Sequence, residues 1–220
     1  MKNHTFNLDA NMVDIFFRPI RDKVDVINIL MQAIKIMSIG NLVQANIKAT
    51  MLLHIDKMSR LFFFTENKKY SIAFPFTVTD EEEILKFSST FIDEINSKIS
   101  SDVISIVKCS AGFDSSCMLE FMDNISEYED SDSAIWSLVK ELMLYEDGYI
   151  RYDYDKQRYE QAKLSGTPNQ HPLNHFDIFY SNRSTFKIGL NSSIDDDFLI
   201  ELVNTKTDCA FFWDNTNGSH

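Results

Sequence analysis

The sequence predicts an α+β fold, in which antiparallel or mixed sheets are covered by helices. Segments with helical spacing are interspersed with segments whose apolar residues recur at every second position. The predicted strands are joined by hairpin-length connections, which favours α+β over a doubly wound parallel sheet. The chain contains no G-x-G-x-x-G or Walker-type loop. Nucleotide binding through a phosphate-cradling glycine loop is therefore not expected.

The first part of the chain predicts a helix followed by a three-stranded meander. Apolar residues at helical spacing indicate a helix from Ile20 to Ser38. Strict alternation from Val43 to Ile55 predicts one long strand, with His54 on its polar, solvent-facing side. Arg60–Thr65 and Tyr70–Phe76 follow as two further strands, joined by turn-forming residues. We expect the three strands to pair in an antiparallel meander.

An acidic run predicts the start of another helix. The acids after Thr79 would lie near the positive end of the helix macrodipole, and apolar residues continue to Ile95. A short strand, Val103–Lys108, is expected next, followed by helices at Met118–Met122 and Ser133–Tyr145. Near the C-terminus, the aspartates that start at Asp195 predict one more acid-capped helix.

Length and charge limit the class of protein. The 220 residues predict one compact unit, 1–220, with a subdivision into 1–110 and 111–220 as the alternative. Acidic residues outnumber basic ones 33 to 21, and the net charge is -12. This charge argues against a broad basic surface for nucleic acid and against attraction to anionic membranes. We expect nucleic acid to bind only locally or through a complex, and a protein partner or a homo-oligomer to be the main assembly.

Cysteine usage and hydropathy bear on location. Cys109, Cys117 and Cys209 are unevenly spaced and form no C-x-x-C pair, so neither a structural zinc motif nor a disulfide framework is predicted. We expect them to be reduced and buried. The N-terminus shows no apolar signal segment, and no apolar run reaches membrane-spanning length. These features predict a cytoplasmic protein.

Three C-terminal segments alternate with period two: Tyr149–Asp155, His175–Tyr180 and Thr185–Leu190. Their even positions are apolar or aromatic and form a predicted core face. If the strands are neighbours, their odd positions bring polar side chains to the other face, namely Arg151, Asp153, Asp155, His175, Asp177 and Lys187. The loop between the first two segments contains Pro168 and Pro172, and would return His171 to the rim of this face.

Such a polar face can support two kinds of chemistry. The predicted metal ligands are His171, His175, Asp153 and Asp177, because imidazoles and carboxylates commonly bind divalent metals. Arg151 would orient an anionic group such as phosphate. Without metal, His175 beside Asp153 or Asp177 would act as a general acid or base. Either arrangement suits attack on a phosphodiester, since no Ser or Cys nucleophile stands in a recognisable context. The predicted catalytic residues are Arg151, Asp153, His171, His175 and Asp177.

The same pattern has a structural interpretation. Polar residues are expected on the outer face of an amphipathic sheet, where cross-strand Arg–Asp pairs contribute roughly 0.2–1 kcal/mol each. If His175 is instead a solvent-facing site residue, its replacement by alanine should abolish activity and change Tm by only a few degrees. A large loss of stability without loss of function would mark it as a core or hairpin-locking residue.

The run YIRYDYD, followed by HPLNHFDIFY and FKIGL, resembles an uncharacterised bacterial family, one of the domains of unknown function. The family pattern is R-Y-D, then H-P-x-x-H-x-[HD], then a short strand. The matching positions are Arg151, Tyr152, Asp153, His171, Pro172, His175 and Asp177. Where members of the family carry a histidine this chain has Asp177, and the resemblance does not extend to residues 1–140. It implies a small toxin-like or phage-defence-associated component.

Two functions follow as hypotheses. The first is a bacterial phage-defence or toxin-like component that acts on nucleic acid or nucleotides by phosphodiester chemistry, either with a divalent metal as the cofactor or without metal. The second is a non-enzymatic subunit or adaptor of a defence or other multiprotein complex, docking through its acidic surface. A partly buried, concave cluster would favour chemistry, and a flat, solvated one would favour the adaptor.

Overall fold

The computed structural model describes residues 2–41, 43, 45–57, 59–81, 84–109, 133–181 and 184–210. The helix expected at Met118–Met122 and the state of Cys117 lie outside these ranges. The helices are α1 (Ala10–Phe16), α2 (Lys23–Met37), α3 (Ser97–Cys109), α4 (Ser133–Leu144), α5 (Lys156–Leu164) and α6 (Asp196–Leu202), and a 3-10 turn covers Pro168–Gln170. The strands are β1 (Lys2–Leu8), β2 (Ala49–Ile55), β3 (Arg60–Phe64), β4 (Lys68–Ala73), β5 (Thr77–Glu81), β6 (Ile84–Ser88), β7 (Ile150–Tyr154), β8 (Asn174–Ser181) and β9 (Ser184–Leu190).

One large sheet organises the fold. Its seven strands lie in the order β1-β2-β3-β4-β7-β8-β9, and each described pairing between neighbours is antiparallel. Strands β5 and β6 form a separate antiparallel hairpin. The prediction of an α+β fold with antiparallel sheets is confirmed, as is the meander β2-β3-β4. The large sheet unites strands from both sides of residue 110.

Both faces of the large sheet are covered. The main core lies on the face that carries Phe63 and Tyr70, and helices α1 to α4 contribute to it through residues such as Met31 and Leu138. A smaller core lies on the opposite face, where Phe62 and Tyr152 lie in one cluster with Leu199 of α6, among other residues. Period-two alternation places consecutive residues of a strand on opposite faces. The neighbours Phe62 and Phe63 of β3 therefore contribute one aromatic ring to each core.

The helix predicted from Thr79 to Ile95 is wrong, because these residues include most of the β5–β6 hairpin. Leu85 and Phe87 are buried, whereas Ile84 is exposed, so burial in β6 follows period two. The predicted strand Val103–Lys108 is also wrong, since it lies within α3. Val103 and Val107 are both buried in the main core, which is the i, i+4 spacing of one helix face.

The long strand predicted from Val43 is shorter than expected. It begins at Ala49, and Asn46 before it has a φ of 56°, a left-handed conformation that interrupts an extended chain. His54 is not at the surface as predicted: it is buried, and its Nδ1 lies 2.9 Å from Oδ1 of Asn3 on β1. His54 shares its sheet face with Leu52 and Phe62 of the smaller core, on which α6 packs, so the side predicted to face solvent is covered.

Several other predictions hold. The N-terminal helix is confirmed as α2, whose N-cap Asp22 accepts a hydrogen bond from the backbone of Asp25. The helices predicted near Ser133 and after Asp195 are confirmed as α4 and α6. Cys209 is exposed, so the expectation of buried cysteines is wrong at this position. Within the described ranges, none of the helices has the length and apolar character needed to cross a membrane.

Candidate functional site

The three C-terminal strands pair as predicted and bring the polar residues into two cross-strand rows. In one row Arg151 on β7 lies opposite Asp177 on β8, which lies opposite Lys187 on β9. In the next row Asp153 lies opposite His175. We call these five residues the charged cluster. Its side chains share one sheet face because all stand at alternating positions of antiparallel neighbours.

This face is not the solvated outer face that the sequence predicted. Arg151 lies opposite Tyr70 of β4, so the charged cluster continues the face that carries the main core. His175 and Asp177 are each only 1% exposed. A cover is visible at one point, where Pro172 packs so closely on Gly189 of β9 that an added Cβ there would lie 3.0 Å from the proline ring. The cluster is thus largely buried.

Arg151 connects the two carboxylates of the charged cluster. Its Nε donates a hydrogen bond to Oδ2 of Asp153 at 2.7 Å, and a terminal nitrogen pairs with Asp177. The other terminal nitrogen lies 3.4 Å from the hydroxyl of Tyr149, and the guanidinium stands over the ring of Phe179 at 5.3 Å from its centroid. This planar fork therefore fixes both aspartates in place.

His175 is held in one tautomer by the backbone. Its Nδ1 lies 2.8 Å from the carbonyl oxygen of Pro172. A carbonyl can only accept, so Nδ1 carries the proton and Nε2 is left with its lone pair facing the charged cluster. Histidine ligands of metals are commonly fixed in this way, with the second ring nitrogen bonded to a carbonyl or carboxylate.

The ammonium group of Lys187 lies within the charged cluster. Its Nζ donates to Nε2 of His175 at 2.8 Å and to Oδ1 of Asp177 at 2.6 Å. Two cations, Arg151 and Lys187, therefore face two carboxylates, Asp153 and Asp177, around a neutral imidazole. A buried group of this kind is stable only when its charges are paired.

The pKa values agree with this assignment of charge. Burial, reinforced by Lys187, lowers the pKa of His175 below its ordinary value and keeps the ring neutral. Burial alone would raise the pKa of the Asp177 carboxyl, but the hydrogen bond from Lys187 and the charge of Arg151 outweigh it and lower this pKa. Burial likewise opposes the charge of Arg151, yet its neighbours, Tyr149 and Asp153 foremost, raise the pKa of its guanidinium.

Three ligand atoms of the cluster converge. One atom each of Asp153, His175 and Asp177 lies within 4.8 Å of the other two, and this is the one such group of three among the residues that the structure describes. Nε2 of His175 is 4.0 Å from Oδ2 of Asp153 and 3.9 Å from Oδ1 of Asp177. An imidazole and two carboxylates form a ligand set that suits divalent transition metals.

The fourth predicted ligand, His171, lies beside the cluster without joining this group. Its ring meets that of His175 edge to face, with centroids 4.8 Å apart. Its Nε2 lies 3.2 Å from Oδ2 of Asp155, which is the N-cap of α5 and accepts from the backbone of Arg158. His171 and Asp155 thus form a second pair next to His175.

The sequence did not assign a role to Lys68 or Tyr149. Lys68 lies between the two predicted strands Arg60–Thr65 and Tyr70–Phe76, where the sequence indicates a turn, but it belongs to β4 opposite Asp153. Burial lowers the pKa of Lys68, and the charge of Asp153 partly offsets the effect. Burial also raises the pKa of Tyr149 to about 12, so its phenol is neutral. Lys68 stands two residues before Tyr70 and therefore shares its sheet face. This spacing indicates a place beside the charged cluster only once β4 is known to pair with β7.

Comparisons of the chain with protein-family models, with curated proteins and with solved structures found no match. The family resemblance of residues 149–190 stays a prediction.

Proposed function

We propose that this chain hydrolyses phosphodiester bonds of nucleic acid or nucleotides, as a toxin-like or phage-defence component, at a divalent metal ion held by Asp153, His175 and Asp177. The observation that carries the proposal is the convergence of three ligand atoms, one of them on a histidine fixed by the Pro172 carbonyl. The burial of His175 and Asp177 favours chemistry over a solvated sheet face.

The residues around the ligand set suit a phosphate. Arg151 and Lys187 place two positive charges beside the ligand atoms. Two nitrogens of Arg151 are engaged with Asp153 and Asp177, and the third, 3.4 Å from the Tyr149 hydroxyl, would donate to a phosphate oxygen. A bound divalent metal would supply an activated water and neutralise developing charge. In hydrolysis, the water oxygen bonds to phosphorus, one P–O ester bond breaks, and the departing oxygen takes up a proton. The chain then needs no Ser or Cys nucleophile.

Lys187 has a double role in this proposal. Its ammonium group bonds two of the three ligand residues, so metal binding requires that it move away. Its side chain is 25% exposed, compared with 2% for Asp177, which leaves a path toward solvent. A displaced Lys187 would remain close enough to bind a phosphate oxygen of the substrate.

One observation favours the adaptor alternative. The carboxylates of the charged cluster are already paired with Arg151 and Lys187, as in a structural network. In that case the cluster stabilises the sheet, and the surface of a chain with net charge -12 binds a basic partner.

An assay on purified protein distinguishes the phosphodiesterase from the adaptor. Hydrolysis of bis(4-nitrophenyl) phosphate is measured with Mn²⁺ or Mg²⁺ and with chelator, in wild type, Asp153→Asn and Asp155→Asn. Asp155 is the matched control, because Asn also caps helices and Asp155 bonds His171 and not the ligand set. We expect metal-dependent turnover that Asp153→Asn abolishes and Asp155→Asn retains. Equal activity in both variants, or none in wild type with either metal, would support the adaptor.

The biological part of the proposal has its own test. Wild type and the same two variants are expressed in a bacterial host, and colony formation and phage plating are counted. We expect growth inhibition or phage protection from wild type and Asp155→Asn, and neither from Asp153→Asn. An effect that all three proteins share would show that it does not depend on the ligand set.

A further inference from the structure

A cavity of about 290 Å³ lies next to the charged cluster, between the start of α2 and the segment that precedes β7. Its apolar wall includes Ile20 and Val26 on one side and Tyr149 and Phe179 on the other. This volume is near the lower end of small-molecule sites, and it suits a single planar ring system and not a peptide or a duplex.

The cavity and the charged cluster share one wall. The rings of Tyr149 and Phe179 lie with centroids 4.6 Å apart, and both line the cavity. Arg151 contacts both residues, through the Tyr149 hydroxyl and through the Phe179 ring face. A ligand that stacks on these rings would therefore be separated from Arg151, and from the Asp153 and Asp177 that Arg151 binds, by a single aromatic side chain.

Charge decides which part of a ligand enters. Three carboxylates line the cavity, those of Asp22, Glu146 and Asp147, against the two cations Arg21 and Lys23. Lys23 is already paired with Asp147. A phosphate in the cavity would meet this excess of negative charge, whereas a neutral ring with amino groups could donate to the carboxylates. Beside it, Arg151 and Lys187 provide the cations that a phosphate needs.

We propose that this cavity binds the base of a nucleotide whose phosphate lies at the charged cluster. The inference rests on the proposed function and narrows its substrate class. A base can enter only when it is unstacked from its neighbours, so the substrate is single-stranded nucleic acid or a free nucleotide. Aromatic stacking supplies affinity for any base, and the carboxylates favour bases with an exocyclic amino group.

Binding of AMP and of ribose 5-phosphate, measured by calorimetry, tests the cavity. Both probes carry the same phosphate and sugar, and only AMP carries a base. The variant is Phe179→Leu, and its matched control is Phe186→Leu, which lies on β9 opposite Ile178 on the other sheet face. We expect wild type and the control to bind AMP about tenfold more tightly than ribose 5-phosphate, and Phe179→Leu to lose this preference.

A second measurement uses wild type alone, so its result does not depend on whether Phe179→Leu folds. Addition of AMP should shift the ring proton resonances of Tyr149 and Phe179, and ribose 5-phosphate should not. Equal affinity for the two probes, no binding of AMP, or unshifted rings would overturn the inference. If bis(4-nitrophenyl) phosphate is still hydrolysed with metal, only the cavity inference fails. If AMP is preferred but no metal-dependent hydrolysis occurs, only the proposed function fails.

Discussion

Lys187 holds its ammonium group 2.8 Å from Nε2 of His175, on the one nitrogen of that ring that is free to bind a metal. The same group lies 2.6 Å from Oδ1 of Asp177. A cation of the protein thus occupies the space between two of the three proposed metal ligands. Metal ion and ammonium exclude one another there, because a divalent cation and an ammonium group about 4 Å apart repel by about 8 kcal/mol at an effective dielectric constant near 20.

Lys187→Met should therefore raise the affinity for Mn²⁺ by about tenfold or more, while turnover of the phosphodiester falls because a phosphate partner is lost. Calorimetric titration with Mn²⁺ measures the affinity. Lys69→Met is the control, since Lys69 pairs with Asp196 and not with the charged cluster. Unchanged Mn²⁺ affinity in Lys187→Met would mean that the ammonium and the metal do not compete.

Arg151→Met should lower the free energy of unfolding by about 3–5 kcal/mol, the usual cost of leaving buried charges without their partner. Asp153 and Asp177 would both lose a charge-assisted hydrogen bond. Urea unfolding monitored by circular dichroism gives the value. Arg158→Met is the comparison, because Arg158 is 70% exposed in its pair with Asp155, and its loss should be below about 1 kcal/mol. Similar small losses in both variants would show that the network contributes little to stability.

The depressed pKa of His175 should make the protein less stable in mild acid. The folded state resists protonation of this ring, so between the folded pKa and the unfolded value of about 6.5 the unfolded state binds more protons. The free energy of unfolding is therefore expected to fall as the pH is lowered through about 6.5. Urea unfolding at pH 7.5 and 5.5 measures the decline.

His175→Gln removes this titration and should show a smaller decline than wild type. The buried His54, whose pKa burial also lowers, contributes to the decline in both proteins. A decline of the same size in wild type and His175→Gln would contradict the assignment of a buried, neutral His175.

Gly189→Ala should weaken the site through the loop that orients His175. The added Cβ would meet the Pro172 ring at 3.0 Å, so the ring must give way by a few tenths of an ångström. Pro172 carries the carbonyl that holds Nδ1 of His175. We expect Mn²⁺ affinity to fall about tenfold, as is usual when the group behind a histidine ligand is disturbed. Thr185→Ala, an exposed position on the same strand, is the control and should bind as wild type does.

Alternation in sequence was sufficient to predict which residues share the face of the site. Residues of β7, β8 and β9 alternate cleanly, so their odd positions fall on one face. The register that sets Arg151 opposite Asp177 and Asp153 opposite His175 did not follow, because a shift of two residues keeps every side chain on its face. The burial of this face did not follow from the sequence either, since alternation tells which residues share a face and not what covers that face. The cover depends on Pro172 and on the neighbour β4, which are set by tertiary packing.

The errors elsewhere have a similar origin. Acids after Thr79 are good helix-start residues, but the burial of Leu85 and Phe87 in the main core stabilises a hairpin there instead. At α5 the sequence predicts a loop and the structure has a helix. Lys156–Leu164 has no apolar stripe at helical spacing, and the helix that it forms buries no residue. Its N-cap Asp155 was the available signal.

The most direct test of the metal site is a crystal structure of the wild-type protein soaked in Mn²⁺, with anomalous scattering recorded for manganese. We expect an anomalous peak bonded to Nε2 of His175 and to oxygens of Asp153 and Asp177, with the Lys187 ammonium group displaced. A Lys187 ammonium group still 2.8 Å from Nε2 of His175, with no manganese peak between the three residues, would contradict the proposed metal site.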